Sequence, residues 1–466
     1  MMSALLQPEE HVLSTLEKDG SRRWLYPRLS PGRYWHARRL VGYGLIILFV
    51  LLPHWKINGK PAILLDLLHR QFSFFGLTLL PTDTLLLALF MVSVFLTIFL
   101  LTALYGRVWC GWACPQTVYL EYVFRPIERF FDGTMGKGGK PSSLTPGWRR
   151  SLKFVAYLMV SMLLAHTFLA YFVGVDQLSH WILGSPFNHP VAFMVMAVVT
   201  GLMLFDFGYF REQTCLVACP YGRLQSVLLD KQSLIVAYDV KRGEPRGKLR
   251  TELQLAERTQ GDCIDCGLCV RTCPTGIDIR QGLQMECVHC TQCIDACDEI
   301  MDKINKPRGL IRYSCQEAIE GLPHKKLRPR VVIYPLLLLI AVSAFVIVLS
   351  RRAPVDVTVL RTLGSPFTVT AEGTVQNTFQ IKLVNREQED RSYTLELLDT
   401  GAVKKDEVKL EAVGQPWLAR PLELNTHAVL VTVPKSAFTF GHYDLKLAVK
   451  DGSTVRKEIT CRLLGP

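Results

Sequence analysis

The chain has 466 residues, too many for one compact domain, and 49% of them are hydrophobic. Its formal net charge of +12 is concentrated beside apolar runs, without a basic patch of interleaved aromatic residues, so we expect no nucleic-acid partner. The apolar residues gather into runs of about 20, long enough to cross a bilayer core of about 30 Å. A multi-pass membrane protein is therefore predicted.

A basic segment, residues 1–39, precedes the first apolar run and carries seven Lys and Arg side chains. Five runs follow it along the chain. They predict a transmembrane region of four helices within residues 40–210 and a fifth helix at residues 331–350. The predicted spans are Leu40–Trp55, Thr82–Tyr105, Phe154–Val175, Pro190–Phe210 and Val331–Ser350.

The basic residues between the spans predict the orientation. Residues 106–153 contain eight Lys and Arg and residues 211–330 contain nineteen, whereas residues 176–189 contain none and residues 56–81 contain three. Because basic loops stay on the cytoplasmic side, the N-terminus and both long loops are predicted to be cytoplasmic. Five spans then place the C-terminal segment in the periplasm. Arg351 and Arg352 lie on the wrong side for this rule, but the nineteen basic residues on the other flank outweigh these two.

Twelve of the fourteen cysteines fall in tight groups, which favours metal binding over disulfides, and only Cys315 and Cys461 stand alone. The largest group has the spacing C-x2-C-x2-C-x3-C twice, with a proline after the first motif. Its members are Cys263, Cys266, Cys269 and Cys273, then Cys287, Cys290, Cys293 and Cys297.

In two-cluster ferredoxins, three cysteines of each motif ligate one 4Fe–4S cluster and the fourth cysteine ligates the other cluster. The predicted ligand sets are therefore crossed. Cys297 joins the first three cysteines of the first motif, and Cys273 joins the first three of the second. Zinc sites use two C-x2-C pairs and not such triplets. Residues 211–330 are predicted to form a ferredoxin-type domain that holds two 4Fe–4S clusters and passes electrons.

A second cysteine pattern, C-x3-C-P, occurs twice, each time next to the cytoplasmic end of a predicted span. The first copy has Cys110 and Cys114, and the second has Cys215 and Cys219. On a helix, side chains four residues apart share one face, so each copy could present two sulfur atoms together. Four thiolates could bind Cu(I), zinc or another thiophilic metal, or cycle between dithiol and disulfide. The alternative is that these are buried cysteines that only line a helix junction.

Two histidines near these features are further candidate ligands. Met162 and His166 are four residues apart in the third span, a spacing that suits copper or haem but is more typical of helix packing. His289 lies inside the second ferredoxin motif, where we expect it to hydrogen-bond a cluster sulfur and not to replace a cysteine.

Residues 353–466 alternate apolar and polar side chains in short runs separated by turn residues. This period of two predicts about seven antiparallel strands and an immunoglobulin-like β-sandwich. Cys461 has no partner cysteine in this region, so it is predicted to be a small buried residue of the last strand.

The order of these features resembles the FixG/RdxA family, also called CcoG, of cytochrome c oxidase accessory proteins. The resemblance rests on Trp109-Cys-Gly-Trp-Ala-Cys-Pro-Gln116, on Cys215-Leu-Val-Ala-Cys-Pro-Tyr-Gly222, on the paired ferredoxin motifs and on the fifth span before a sandwich. It covers nearly the whole chain.

The resemblance implies a bacterial inner-membrane protein that reduces Cu(II) to Cu(I) for assembly of a cbb3-type haem–copper oxidase. It implies copper handling by Cys110, Cys114, Cys215 and Cys219, and partners among oxidase subunits or copper-delivery proteins. The electron donor is not identified by the sequence. Two other functions stay open: a quinol dehydrogenase that resembles the NapH-type ferredoxins and feeds a periplasmic reductase, and a non-enzymatic scaffold for oxidase assembly.

Overall fold

The computed structural model describes residues 14–16, 19, 21–57, 59–68, 70–81, 83–134, 136–139, 146–248, 261–322, 328–362, 364–370, 373–387, 389–400, 403–438 and 440–466. Its α-helices, in chain order, are α1 (Arg33–Leu51), α2 (Thr84–Tyr105), α3 (Val108–Trp112), α4 (Pro115–Tyr119), α5 (Arg125–Asp132), α6 (Gly147–Val173), α7 (Val175–Leu183), α8 (Pro190–Phe205), α9 (Pro220–Leu228), α10 (Val240–Gly243), α11 (Leu268–Arg271), α12 (Gln292–Lys303), α13 (Gln316–Glu320) and α14 (Pro329–Ser350).

Five helices in the described residues are long and apolar enough to cross a membrane, as predicted. Their bounds, including short extensions of α1 and α8, are Arg33–His54, Thr84–Tyr105, Gly147–Val173, Pro190–Phe210 and Pro329–Ser350. The third begins seven residues before the predicted span, and this extra part carries three basic side chains. Such a boundary is typical of an interfacial helix end, where long cations reach the headgroups.

The strands, in chain order, are β1 (Lys56–Ile57), β2 (Lys60–Pro61), β3 (Ile63–Asp66), β4 (Gln71–Phe74), β5 (Leu77–Leu79), β6 (Ile235–Tyr238), β7 (Ile311–Ser314), β8 (Val355–Arg361), β9 (Thr368–Val369), β10 (Thr374–Asn385), β11 (Arg391–Asp399), β12 (Lys409–Ala412), β13 (Trp417–Ala419), β14 (Leu424–Pro434), β15 (His442–Asp451) and β16 (Thr454–Leu464). Between the first two long helices, β1–β2 and β3–β4–β5 form two small antiparallel sheets that the sequence did not predict. Strands this short carry too few residues to show a period of two.

The predicted ferredoxin region is built around β6 and β7, which pair antiparallel, and around helices α11 and α12. Its core combines aliphatic side chains with the cysteines of both motifs. The basic N-terminal segment packs on this region. The backbone N–H of Arg28 donates to the Arg271 carbonyl at 2.9 Å, and Ser30 lies 3.0 Å from Thr272 in a buried hydroxyl pair.

The C-terminal region forms a compact unit with two antiparallel sheets, one of five strands (β12-β14-β10-β8, with β9 beside β10) and one of four (β13-β11-β15-β16). The period of two is visible in β10, where Phe379, Ile381 and Leu383 point into the core and the residues between them do not. The predicted sandwich is confirmed, with nine strands where about seven were expected. Cys461 is a buried residue of the last strand, as predicted.

Arg352, one of the two basic residues on the unexpected side of the fifth helix, belongs to an ion-pair network in this same unit. Its guanidinium and that of Arg386 both pair with Asp83, which is 8% exposed. Because a buried carboxylate matches it, Arg352 does not act as a free positive charge.

Candidate functional site

The eight ferredoxin cysteines line two cavities. The distal cavity, of about 370 Å³, is lined by Cys263, Cys266, Cys269 and Cys297. The proximal cavity, of about 330 Å³, is lined by Cys273, Cys287, Cys290 and Cys293, with Cys269 on the wall toward the distal cavity. The structure thus gathers the cysteines in the two crossed sets that the spacing predicts. Which sulfur ligates which iron stays a prediction.

Electrostatic coupling among the thiols follows the same two sets. Burial, together with the charges of the other distal thiolates and of Asp298, raises the pKa of Cys297 to about 12. Burial also raises the pKa of Cys287 to about 12, with contributions from Cys273 and Cys290. Buried thiols that repel one another as anions need a bound cation to become ligands, and metal binding displaces their protons.

The donor set fits a 4Fe–4S group better than a single ion. In the described part of the chain, no three His, Cys, Asp or Glu side chains are close enough to hold one metal ion, and this includes Cys110, Cys114, Cys215 and Cys219. The cysteines instead line two cavities, with at least four of them around each. Thiolates held apart around a space are what a cluster of four irons requires.

The two C-x3-C-P motifs meet in one place, which we call the four-thiol site (Cys110, Cys114, Cys215 and Cys219). Burial is the first cause that raises the pKa of Cys215, and the charges of the other three thiols raise it further. Burial raises the pKa of Cys110 to about 11, against the opposing charge of Arg107. Since each of these pKa values depends on thiols of both motifs, the four sulfur atoms share one low-dielectric environment.

The local backbone of these motifs differs from the expected continuous helix. Cys110 lies in α3 and Cys215 in a π-helical turn at Thr214–Ala218, but Cys114 and Cys219 are extended residues just before α4 and α9. The prolines that follow them occupy the first helical position, where a missing N–H costs nothing. Each proline therefore starts a new helix and does not kink an old one.

Polar side chains around the four-thiol site hold its geometry. The Cys110 thiol donates to Oε1 of Gln225 at 3.0 Å, and Gln225, 1% exposed, donates in turn to the hydroxyls of Thr102 and Tyr221. The Thr117 hydroxyl donates to the carbonyl of Cys110 at 2.6 Å. Because the buried amide of Gln225 has these hydrogen-bond partners, it holds the Cys110 thiol in one orientation.

A carboxylate at the end of the fourth membrane helix links the two motifs. Asp206 accepts from Nε2 of Gln116 at 3.1 Å and from the hydroxyl of Thr214. Gln116 follows the first motif by two residues, and Thr214 directly precedes the second. One side chain therefore ties together the two segments that supply the thiols.

The four-thiol site touches the proximal cavity directly. Cys110 packs with Val288 and Cys290 in one buried cluster, and Cys215 packs against it. Gly111 makes this approach possible, because a Cβ atom there would lie 2.6 Å from the Val288 carbonyl oxygen and 2.7 Å from that of His289. The first C-x3-C-P motif is therefore in van der Waals contact with the second ferredoxin motif.

Two expectations about histidines can be compared with the structure. His166 Nδ1 is 2.8 Å from the Met162 carbonyl, an ordinary contact within its own helix. His289 Nδ1 accepts from the Arg107 backbone N–H at 3.2 Å, and its Nε2 has no partner among the described residues, so the hydrogen bond to a cluster sulfur stays a prediction. Burial and Arg107 lower the pKa of His289 to about 3, so it is a neutral residue that joins the ferredoxin domain to the membrane region.

The sequence did not single out Gly111, Gln225 or Asp206. A glycine between two cysteines has no signal of its own, and Gln225 acquires its role only through contacts more than 100 residues away in the chain. Asp206 did have a signal, since an ionisable residue inside an apolar span is a functional candidate by default.

Comparison with protein families agrees with these assignments. A family described as a 4Fe-4S dicluster domain matches residues 210–316, and one described as a 4Fe-4S binding domain matches residues 87–134. A family described as an IG-like fold at the C-terminal of FixG matches residues 345–466. The first match contains both cavities and the second contains Cys110 and Cys114, so two 4Fe–4S binding domains are present.

Three relatives align with most of the chain. Protein RdxB of Cereibacter sphaeroides is 36% identical over 89% of this chain and 86% of its own length. Protein RdxA of the same organism is 33% identical over 80% of this chain and 81% of its own. Nitrogen fixation protein FixG of Rhizobium meliloti is 30% identical over 94% of this chain and 92% of its own. The chain therefore belongs to the FixG/RdxA/RdxB family of membrane iron–sulfur oxidoreductases.

Proposed function

We propose that this chain reduces Cu(II) to Cu(I) at the four-thiol site and so supports assembly of a cbb3-type cytochrome c oxidase. The observation that supports this most is that Cys110 belongs to one buried cluster with Val288 and Cys290, which joins the four-thiol site to the proximal cavity. A 4Fe–4S group held by the cysteines of that cavity would supply one electron at a time, which is what the conversion of Cu(II) to Cu(I) requires.

The thiols are suited to retain the product. Thiolate sulfur prefers Cu(I) over harder ions. Burial raises the pKa of Cys110 to about 11 and raises that of Cys114 as well, so these thiols stay protonated until copper displaces the protons. Gln225 orients the Cys110 thiol, and Asp206 holds the two motifs together.

The charge distribution supports an orientation. Basic residues at 106–153 and 211–330 favour a cytoplasmic position for the clusters and the four-thiol site in a bacterial inner membrane. The sandwich would then face the periplasm, where oxidase subunits or copper-delivery proteins are its expected partners.

Copper reduction can be tested on the full chain, purified with its iron intact and reduced with dithionite. After removal of the excess reductant, Cu(II) is added and Cu(I) is followed with a Cu(I)-specific chelator. Cys110→Ser and Cys215→Ser should each lower Cu(I) formation at least about tenfold, because a soft thiolate ligand is replaced by a hard hydroxyl oxygen that stays protonated.

The matched control is Cys461→Ser, which removes an equally buried thiol of the sandwich. Cu(I) formation should not change in this variant. If the Cys110 and Cys215 variants keep their iron and reduce copper at the unaltered rate, the role given to the four-thiol site is wrong. A quinol-oxidation assay on the same samples tests the NapH-like alternative, and oxidase assembly with cluster-ligand variants tests the scaffold alternative.

A second candidate occupant of the four-thiol site is an iron–sulfur group, which the 4Fe-4S match at residues 87–134 favours. Only two cysteines, Cys110 and Cys114, lie in the matched segment, so Cys215 and Cys219 would complete the set. Iron analysis separates the candidates, since two 4Fe–4S groups give about eight irons per chain and a third gives about twelve.

A further inference from the structure

Two arginines are buried at the junction between the four-thiol site and the proximal cavity. Arg38 of α1 is 1% exposed, and Arg107, directly before α3, is 3% exposed. Arg38 Nε donates to the Gly111 carbonyl at 2.8 Å, and Gly111 is the residue in close contact with the backbone of Val288 and His289. Arg107 donates through its guanidinium to the Met285 carbonyl and through its backbone N–H to His289.

No carboxylate among the described residues lies within ion-pairing distance, 4.0 Å, of either guanidinium. Arg38 Nη1 and Arg107 Nε have no hydrogen-bond partner in the part of the chain that the structure describes. Asp295 is a buried carboxylate of the same region, but its two oxygens accept the backbone N–H groups of Tyr34 and Trp35. Neither guanidinium therefore has a carboxylate ion pair among the described residues, although the charge of Arg38 acts to lower the pKa of Asp295 against the larger effect of burial.

Other buried arginines nearby are compensated. Arg125, 1% exposed, pairs with Glu121 and Glu212, and Arg211 pairs with Glu128 at 3.0 Å. An unpaired cation in a protein interior is costly, by several kcal/mol even after relaxation. Some buried arginines of this region therefore form ion pairs with carboxylates, whereas Arg38 and Arg107 do not among the described residues.

The anions available to Arg38 and Arg107 are thiolates. The positive charge of Arg38 acts to lower the pKa of Cys290 against the larger effect of burial. Arg107 acts in the same direction on the pKa of Cys110 and of Cys287. Four thiolates carry more negative charge than the iron–sulfide core of a 4Fe–4S group neutralises, so the ligated group would be a counter-ion for a buried cation.

We propose that Arg38 and Arg107 are the fixed counter-charges of the proximal cavity, and that Arg38 raises the reduction potential of the 4Fe–4S group bound there. Reduction adds one negative charge to that group, and a nearby buried cation stabilises the reduced form. This inference rests on the iron–sulfur part of the proposed function and not on its copper chemistry.

The test is a potentiometric titration of the full chain in copper-free buffer, with dithionite as the electron source and EPR as the readout. Arg38→Met should lower the equilibrium constant for reduction of the proximal group at least about tenfold, which corresponds to a midpoint potential lower by about 59 mV for one electron. The potential of the distal group should not change. Arg38→Lys keeps the charge and should stay within about threefold of the unsubstituted chain. Cys266→Ser, which removes a distal ligand, identifies the distal signal.

Arg308→Met is the control, since this side chain is 68% exposed and its substitution should shift neither potential. Arg107→Met should lower the proximal potential in the same direction as Arg38→Met. An unchanged proximal potential in Arg38→Met with full iron content would overturn the proposal, as would an Arg38→Lys chain that behaves like Arg38→Met. If Arg38→Met loses the proximal iron, retention of that iron in Arg38→Lys supports the counter-charge role, and loss in both variants overturns it.

Discussion

The distal and proximal cavities are built on the same cysteine spacing, but their surroundings differ in charge and exposure. At the distal cavity Cys266 is exposed, and the neighbouring Arg280 pairs with Asp278 at 2.7 Å and also with Asp265. At the proximal cavity Cys290 is 8% exposed, and Arg38 has no carboxylate partner in the described chain. The spacing determines which cysteines meet. Residues outside the motifs determine how each cavity is charged and which of them contacts the four-thiol site.

We expect the largest effect on stability and on Cu(I) formation from breaking the contact between Gly111 and the backbone of the second ferredoxin motif, which only the proximal cavity makes. In Gly111→Ala the added Cβ would lie 2.6 and 2.7 Å from two backbone oxygens, which cannot move as a flexible side chain can. We expect a loss of about 1–3 kcal/mol in stability and a marked loss of Cu(I) formation. The measurements are thermal unfolding and the chelator assay on iron-replete protein.

The control for this change is Gly44→Ala, because an added Cβ at Gly44 of α1 meets nothing within 4 Å. The same substitution in open helix surface should be neutral or slightly stabilising. Equal behaviour of the two variants would contradict the close contact at Gly111.

A smaller effect should follow from removing the cation of the distal cavity. Arg280→Met deletes one positive charge beside the distal group, as Arg38→Met does beside the proximal group. Solvent near the exposed Cys266 screens the distal charge, so we expect a change of no more than about threefold in the reduction equilibrium. The EPR titration measures both groups in one sample. A distal shift as large as the proximal one would remove the difference between the two cavities.

The smallest effect concerns the pH dependence of the distal ion pair. Hydrogen bonds from Arg280 hold the pKa of Asp278 below its ordinary value of 3.8, although burial acts to raise it. A depressed carboxylate pKa gives stability that is present above the unfolded pKa and is lost as the pH falls through the folded pKa.

Asp278→Asn should therefore cost less than about 1 kcal/mol at neutral pH, because the pair is partly exposed. We expect the free energies of unfolding of the unsubstituted chain and of Asp278→Asn, measured with denaturant, to differ by a constant amount down to about pH 4. Below that pH the difference between the two free energies should become smaller. A difference that shrinks already near pH 6 would mean that another group carries the effect.

Much of this molecule could be predicted from local pattern. The spans follow from runs of apolar residues, and the grouping of the ferredoxin cysteines follows from a spacing that only a two-cluster fold satisfies. The sandwich follows from the alternation seen in β10. Each of these features depends on residues that are close together in the chain, so each can be predicted without knowledge of the tertiary contacts.

The features that were missed depend on contacts between distant segments. Arg38 was counted only as a basic residue beside a span, because nothing in its neighbourhood indicates that α1 buries it against Gly111. The expected helical face of each C-x3-C-P motif was wrong, since each proline starts a new helix and the second cysteine lies between two helices. The meeting of the two motifs depends on Asp206, which contacts residues adjoining both.

The central claim is that two C-x3-C-P motifs form one copper site against the proximal cavity, and metal analysis combined with EPR of the reduced protein tests it most directly. We expect about eight irons per chain and the EPR signals of two interacting 4Fe–4S groups. We also expect bound copper, which Cys110→Ser and Cys215→Ser should each lose without loss of iron. About twelve irons, with iron and not copper lost in these variants, would contradict the central claim.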